Sequence, residues 1–286
     1  MEPPLTLQTQ LEQLWLKQKP FVAFCLPQSN EVQLYFQQDN TLHKTTRLND
    51  SGFALAPFDP ETPTYFIPNT LQKSFPIPKA QQQFPSEIPL AETQQEKTAF
   101  VQLVQKAVHT ISSGSFKKLV VSRKIEHQTS KSPVVVFMDL LRAYNGTMVY
   151  LWSHPKGGCW LGASPEKFLK KMEEGVQTEA LAGTQVYHSS KKIVWKQKEI
   201  DEQELVAEQI RQDLKPFFTS EETKEHPPRT IRAGNLVHRS SLFELPKFQQ
   251  PLHLLVKALH PTPAVGGIPK VKAVGFIKKE EGYDRS

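Results

Sequence analysis

Eight prolines fall between positions 57 and 89: Pro57, Pro60, Pro63, Pro68, Pro76, Pro78, Pro85 and Pro89. Proline fixes φ and offers no N–H, so neither a helix interior nor a central strand passes easily through such a stretch. Residues 56–90 therefore read as a long connector rather than a core element. They divide the chain into an N-terminal α/β part that ends with the connector, residues 1–91, and a second region, residues 92–286.

On either side of the connector the apolar pattern is regular. Leu5, Leu7, Leu11, Leu14 and Trp15 follow a helical stripe, and FVAFCLP (21–27) and EVQLYF (31–36) read as two strands joined by the turn Gln28-Ser29-Asn30. Beyond residue 92, Phe100, Leu103, Val104, Ala107, Val108 and Ile111 mark a second helix ending at Gly114. FKKLVVSRKIE (116–126) predicts one continuous strand, and Val135–Tyr144 a helix. TMVYLWS (147–153) with CWLGAS (159–164), and FLKKM (168–172) with VQTEAL (176–181), predict two hairpins. A long polar helix follows over Lys196–Leu214, then a strand pair near 229–243 and short helices near 251–259 and 269–280. Hairpin-linked strands interspersed with helices argue for an α+β fold rather than a βαβ winding. No G-x-G-x-x-G or Walker A segment occurs, so a nucleotide-binding fold is not supported.

Composition narrows the function classes. In 286 residues, 38% hydrophobic, there is material for a sizeable core. No apolar run approaches the roughly 20 residues of a membrane span, and the N-terminus lacks a signal pattern, so the expectation is a cytoplasmic protein with no membrane partner. Two cysteines, Cys25 and Cys159, make neither a disulfide framework nor a zinc cluster and read as small core hydrophobes. The net charge of +6 is spread along the chain without an arginine-rich arm or helix-turn-helix signature. A small anionic substrate explains it better than nucleic acid.

Several residues carry candidate chemistry, each with an ordinary reading beside it. Lys118 in Lys118-Leu119-Val120-Val121 is either an outward, snorkelling lysine or a desolvated base. Glu166, after Gly162-Ala163-Ser164-Pro165, is either a helix-start acid or a carboxylic acid facing a cleft. Leu181-Ala182-Gly183-Thr184 is either an ordinary turn or a set of exposed N–H groups that receive a carboxylate. Glu199 and Glu202 lie one turn apart on a helix, either as a solvated acidic face or as oxygen ligands for Mg²⁺.

Taken together, five ordered segments resemble the chorismate-utilising enzymes. They are Lys118-Leu-Val-Val-Ser-Arg123, Trp160-Leu-Gly-Ala-Ser-Pro-Glu166, Thr178-Glu-Ala-Leu-Ala-Gly-Thr184, Lys198-Glu-Ile-Asp-Glu202 and His260-Pro-Thr-Pro-Ala-Val-Gly-Gly-Ile-Pro-Lys270. The wording of the third and fifth looks most like isochorismate synthases. The resemblance implies the family's α+β fold, with antiparallel sheets packed face to face, helices outside and the active site in a cleft. It implies chorismate as substrate and Mg²⁺ as cofactor in a monomer. It makes Lys118 the base that activates water and Glu166 the acid. Glu202 becomes the metal ligand with Glu199 in support, and Ala182, Gly183, Thr184, His238 and Gly267 contact the substrate. Ammonia-using members lack the lysine, and Ala182 stands where aminodeoxychorismate synthases carry one. Salicylate synthesis and a non-catalytic remnant are the alternative functions.

Two departures accompany the resemblance. Gln203 replaces the family's usual histidine after the metal glutamate. The match also breaks off at Glu281-Gly-Tyr-Asp-Arg-Ser286. Family members continue there into a Tyr-x-Gly strand, a carboxylate-binding arginine, a Gly-x-Gly turn and a helix with a second metal-binding glutamate. The expectation is a C-terminally shortened member, inactive as it stands.

Overall fold

The computed structural model describes residues 5–79, 92–144, 146–190, 192–219, 222–246, 248 and 250–285. The helices among them are α1 (Leu7–Leu16), α2 (Gln94–Ser112), α3 (Pro133–Ala143), α4 (Gln197–Leu214), α5 (Leu252–Leu259) and α6 (Lys270–Glu280). The strands are β1 (Phe21–Cys25), β2 (Glu31–Phe36), β3 (His43–Thr45), β4 (Gly52–Leu55), β5 (Thr64–Pro68), β6 (Gln72–Pro76), β7 (Lys118–Leu119) and β8 (Met148–His154). They continue with β9 (Gly158–Ser164), β10 (Lys170–Lys171), β11 (Val176–Val186), β12 (Lys224–Glu225), β13 (Arg229–Ala233), β14 (Leu236–Leu245) and β15 (Gly267–Ile268). The mixture is α+β, and every strand pairing is antiparallel.

Contacts divide the chain into two compact units, and the division does not fall at residue 91. One unit comprises Met1–Ala56, Pro63–Ile88 and Gln128–Pro165; the other comprises Pro57–Thr62, Pro89–His127 and Glu166–Ser286. The reason is strand pairing. β8 lies beside β1, matching Val22 to Trp152, so the hairpin β8–β9 completes an N-terminal sheet of order β6-β2-β1-β8-β9.

In the first unit β1 is apolar on both faces because both are covered. Phe21, Ala23 and Cys25 pack with α1 and α3 through Leu11, Leu14, Phe137 and Leu141. Val22 and Phe24 pack the other way, with Trp152, Phe53 and Ile67, against the sheet β3-β5-β4. Burying each such side chain contributes about 1.5–3 kcal/mol. The helices are closed by local sequence: Thr6 and Ser132 cap α1 and α3, with Pro133 in the first turn of α3.

The proline-rich stretch is not merely a connector. Within its described part, β5 and β6 are strands, and Ile67 is fully buried. The prolines sit where a missing N–H matters least: Pro63 precedes β5, Pro68 and Pro76 end β5 and β6, and β6 is an edge strand. Pro85 and Pro89 lie outside the described residues. Cys25 is buried as expected, whereas Cys159 is exposed on the edge strand β9.

The second unit is organised on the long pair β11–β14, with β10, β12 and β13 at its margins. One face is apolar. Val176, Ala180, Ala182, Phe243 and Leu245 pack against Val206, Ala207, Ile210 and Leu214 of α4 and Leu255 and Leu259 of α5. The other face carries Glu179, Thr184, His238 and Ser240. Lys118 and Leu119 form a two-residue ladder with Ile268 and Gly267. The strand expected over 116–126 is cut to this length because its later N–H groups find other partners, Ser122 donating to the Glu281 carboxylate at 2.6 Å. The apolar stripe of α2 also differs from expectation. Ala107 is its one buried residue, and Val101, Val104 and Val108 are exposed.

Candidate active site

All the residues singled out as catalytic, substrate-binding or metal-binding fall in the second unit. β7, α2 and α4 line an open groove of about 700 Å³ that holds Lys118 and Glu202. The Lys118 side chain is only 10% exposed, and its Nζ donates to Glu202 Oε1 at 2.8 Å. Behind it, Gly267 makes the β7–β15 pairing possible. A Cβ there would lie 2.4 Å from the Lys118 carbonyl oxygen, so the backbone that carries the lysine admits no side chain.

Gly183 sets the second part of the site. Side chains alternate along β11, which places Ala180 and Ala182 toward α4 and Glu179 and Leu181 on the opposite face. The register with β14 slips between Ala182 and Thr184, leaving Gly183 as an extra residue with φ +72°. That bulge brings Thr184 opposite His238, and Thr184 Oγ1 shares a hydrogen bond of 3.0 Å with His238 Nδ1. Burial pushes the His238 pKa down, favouring the neutral ring. Ala182 does not join this group. Its side chain belongs to the apolar cluster under α4, so only its backbone can reach a ligand.

Glu166 lies outside any strand, in residues 165–169. Its pKa is raised, first by burial and then by the charge of Glu179, with Lys118 partly opposing both. A carboxyl group so placed holds its proton to higher pH than a free glutamate. Glu179 is the residue that sequence reasoning left without a role. It is 4% exposed on β11, receives Ser240 Oγ at 3.3 Å, and attracts Lys167 Nζ at 3.2 Å and Arg229 Nη2 at 3.5 Å. The available signal was an acid directly before the apolar run Ala180-Leu181-Ala182.

The two candidate metal ligands differ. Glu202 faces the groove. The Glu199 carboxylate turns back to accept the Lys196 N–H at 2.9 Å, closing the first turn of α4. Gln203 does not line the groove: it is fully buried, donating to Ser241 Oγ at 2.9 Å and accepting from Arg239 Nε at 3.3 Å.

Against known proteins, the family described as "Chorismate binding enzyme" matches residues 62–286, most of the chain. The protein belongs to the chorismate binding enzyme family. It is 30% identical over 203 residues to the salicylate biosynthesis isochorismate synthase of Pseudomonas aeruginosa, covering 67% of this chain and 42% of that protein. It is 30% identical over 202 residues to isochorismate synthase EntC of Escherichia coli, covering 66% and 51%. The chain thus spans about half the length of the curated relatives it matches. Among solved structures, the DhbC crystal structure from Bacillus anthracis aligns with TM-score 0.76 at 20% identity, over 98% of this chain and 82% of that one. MenF, the menaquinone-specific isochorismate synthase from Escherichia coli, aligns with TM-score 0.68 at 17% identity, over 93% and 74%. These likenesses establish the family's fold for this member. No helix among its described residues is long and apolar enough to cross a membrane.

Proposed function

We propose that this chorismate binding enzyme is an isochorismate synthase, adding water at C2 of chorismate as the C4 hydroxyl leaves. The observation that carries the reading is Lys118, a nearly buried amine held over an open groove within the field of Glu166, whose pKa is raised by burial. Water is a weak nucleophile and hydroxide a poor leaving group, so the reaction needs a base and an acid together. Lys118 takes a proton from the attacking water. The ring double bonds shift, and Glu166 gives its proton to the departing C4 oxygen, which leaves as water. General-base work requires the neutral amine, so the ion pair between Lys118 and Glu202 opens before the chemistry. Thr184, His238 and the backbone at Ala182 and Gly183 orient the substrate on the polar face of β11–β14.

Mg²⁺ would be held through Glu202, a single carboxylate on the groove, with waters completing its shell. Glu199 serves only if it releases the Lys196 N–H. When bound, Mg²⁺ supplies positive charge to a substrate carboxylate. Supporting context comes from relatives named isochorismate synthases.

The chain spans about half the length of its curated relatives, so the test is product analysis of chorismate incubated, over a range of Mg²⁺ concentrations, with this chain joined to the C-terminal segment of such a relative, the 286-residue chain alone being expected to be inactive. Isochorismate is expected without any ammonia donor, and Glu202→Gln is expected to demand more Mg²⁺. Ammonia-dependent anthranilate, salicylate with pyruvate as the main products, or no isochorismate at any Mg²⁺ concentration would reject the reading.

A further inference from the structure

Glu179 is a buried carboxylate that the proposed reaction does not use. Its side chain is 2% exposed, and its Oε1 has no hydrogen-bond partner among the described residues. Such a group costs stability unless something compensates it. The compensation here is the pair of half-exposed cations Lys167 and Arg229, which approach Oε1 from a segment outside any strand and from β13. Apolar residues of similar size would fill the position without that cost, so the charge itself calls for a reason.

The neighbours supply one. Lys167 directly follows Glu166. The next residue, Phe168, accepts the Thr178 hydroxyl at 2.6 Å through its carbonyl. The segment bearing Glu166 is therefore fastened to β11 at consecutive residues, Lys167 to Glu179 and Phe168 to Thr178. Glu179 also shares its strand face with Leu181 and Ser240, the face on which His238 meets Thr184.

We propose that Glu179 is a positioning residue for Glu166, clamping through Lys167 the irregular segment that carries the acid and setting the charge it experiences. This rests on the reading of Glu166 as the proton donor. The charged groups around the two carboxylates are Lys118 on β7, Lys167 on the segment itself and Arg229 on β13. The raised pKa of Glu166, to which Glu179 contributes after burial, agrees with the placement.

The device makes opposite predictions for the two ends of the clamp. Glu179→Gln removes a negative charge, so the titration midpoint of Glu166 moves down. Lys167→Met leaves Glu179 less neutralised, so the midpoint moves up. Glu179→Asp keeps the charge and holds the midpoint near that of the unaltered protein. The measurement is a ¹³C-carboxyl glutamate titration followed by NMR, with the Glu166 signal assigned by its loss in Glu166→Gln. It does not depend on turnover. In the isochorismate assay, Glu179→Gln is expected to lower kcat about tenfold or more with KM little changed, and to shift the alkaline limb of kcat to lower pH.

A purely structural Glu179 would move neither midpoint, or both the same way, and either result overturns the proposal. If Glu179→Gln does not fold, Lys167→Met and Glu179→Asp still decide the sign. Opposite midpoint shifts in a protein that forms no isochorismate would support the clamp while removing the assignment of Glu166 as the acid of that reaction.

Discussion

Replacing Gly183 with alanine tests whether the bulge in β11 builds the site. Gly183 has φ +72°, and a Cβ there would stand 3.1 Å from Glu199 Cβ and 3.2 Å from the Glu199 carbonyl oxygen. The left-handed conformation alone costs a non-glycine residue about 1–2 kcal/mol. The contact adds about 1–3 kcal/mol, typical of overpacking, because neither atom of Glu199 can swing away and the turn is closed by the Lys196–Glu199 cap. Gly282 supplies the control, having the same φ of +72° with nothing within 4 Å of its Cβ position. Urea denaturation should therefore show a loss of about 1–2 kcal/mol for Gly282→Ala and about 2–5 kcal/mol for Gly183→Ala. Because the bulge also turns Thr184 toward His238, Gly183→Ala should raise KM for chorismate, whereas Gly282→Ala should not. Equal destabilisation of the two variants, with equal KM, would refute the argument.

Much of this architecture is legible in single segments. The runs FVAFC and EVQLYF form β1 and β2, the polar stretch Lys196–Leu214 becomes α4, and the two later hairpins stand where their turns place them. The limits lie in what pairs with what. β8 joins β1 across more than a hundred intervening residues, and no local pattern encodes that choice. Prolines at strand ends concealed β5 and β6, since a proline at the last position of a strand looks the same in sequence as one in a loop. β7 is short because the chain beyond it finds partners off the sheet, such as the Glu281 carboxylate, that no local pattern announces. Of the candidate site residues, Lys118, Glu166, Glu202, Thr184 and His238 were singled out by residue type and motif. The face each occupies was not legible: one slipped residue at Gly183 separates Ala182, under α4, from Thr184, on the polar face. Glu179 was passed over because its charge acts through neighbours brought close only by folding.

Three further outcomes follow from the same geometry. Lys118→Ala and Glu166→Gln should each lower kcat for isochorismate formation by about 10²-fold or more with smaller changes in KM, and a Lys118→Ala enzyme of near-normal kcat would remove the lysine from the mechanism. Because the folded state raises the pKa of Glu166 above 4.5, it binds more protons than the unfolded chain, and this group's contribution to stability declines as pH rises from 4.5 through the raised value. Thermal melts of Glu166→Gln should accordingly match the unaltered protein below pH 4.5 and exceed it at neutral pH; a gap of the opposite sign would contradict the burial argument. The last outcome concerns Gln203, whose neighbour Glu202 must face the groove. Gln203 fastens that turn of α4 to the sheet by donating to Ser241 and accepting from Arg239. Leucine would fill the space and leave both partners unanswered beside a residue with no solvent exposure, at a cost of about 1–3 kcal/mol for each group left without a partner. Loosening the turn frees Glu202 from its fixed aim, so Gln203→Leu should also raise the Mg²⁺ concentration needed for half-maximal activity. Histidine, with one ring nitrogen to donate and one to accept, should recover much of both losses. A leucine variant that kept its stability and its Mg²⁺ requirement would show that the turn is held by the apolar packing of Val206 and Ala207 alone.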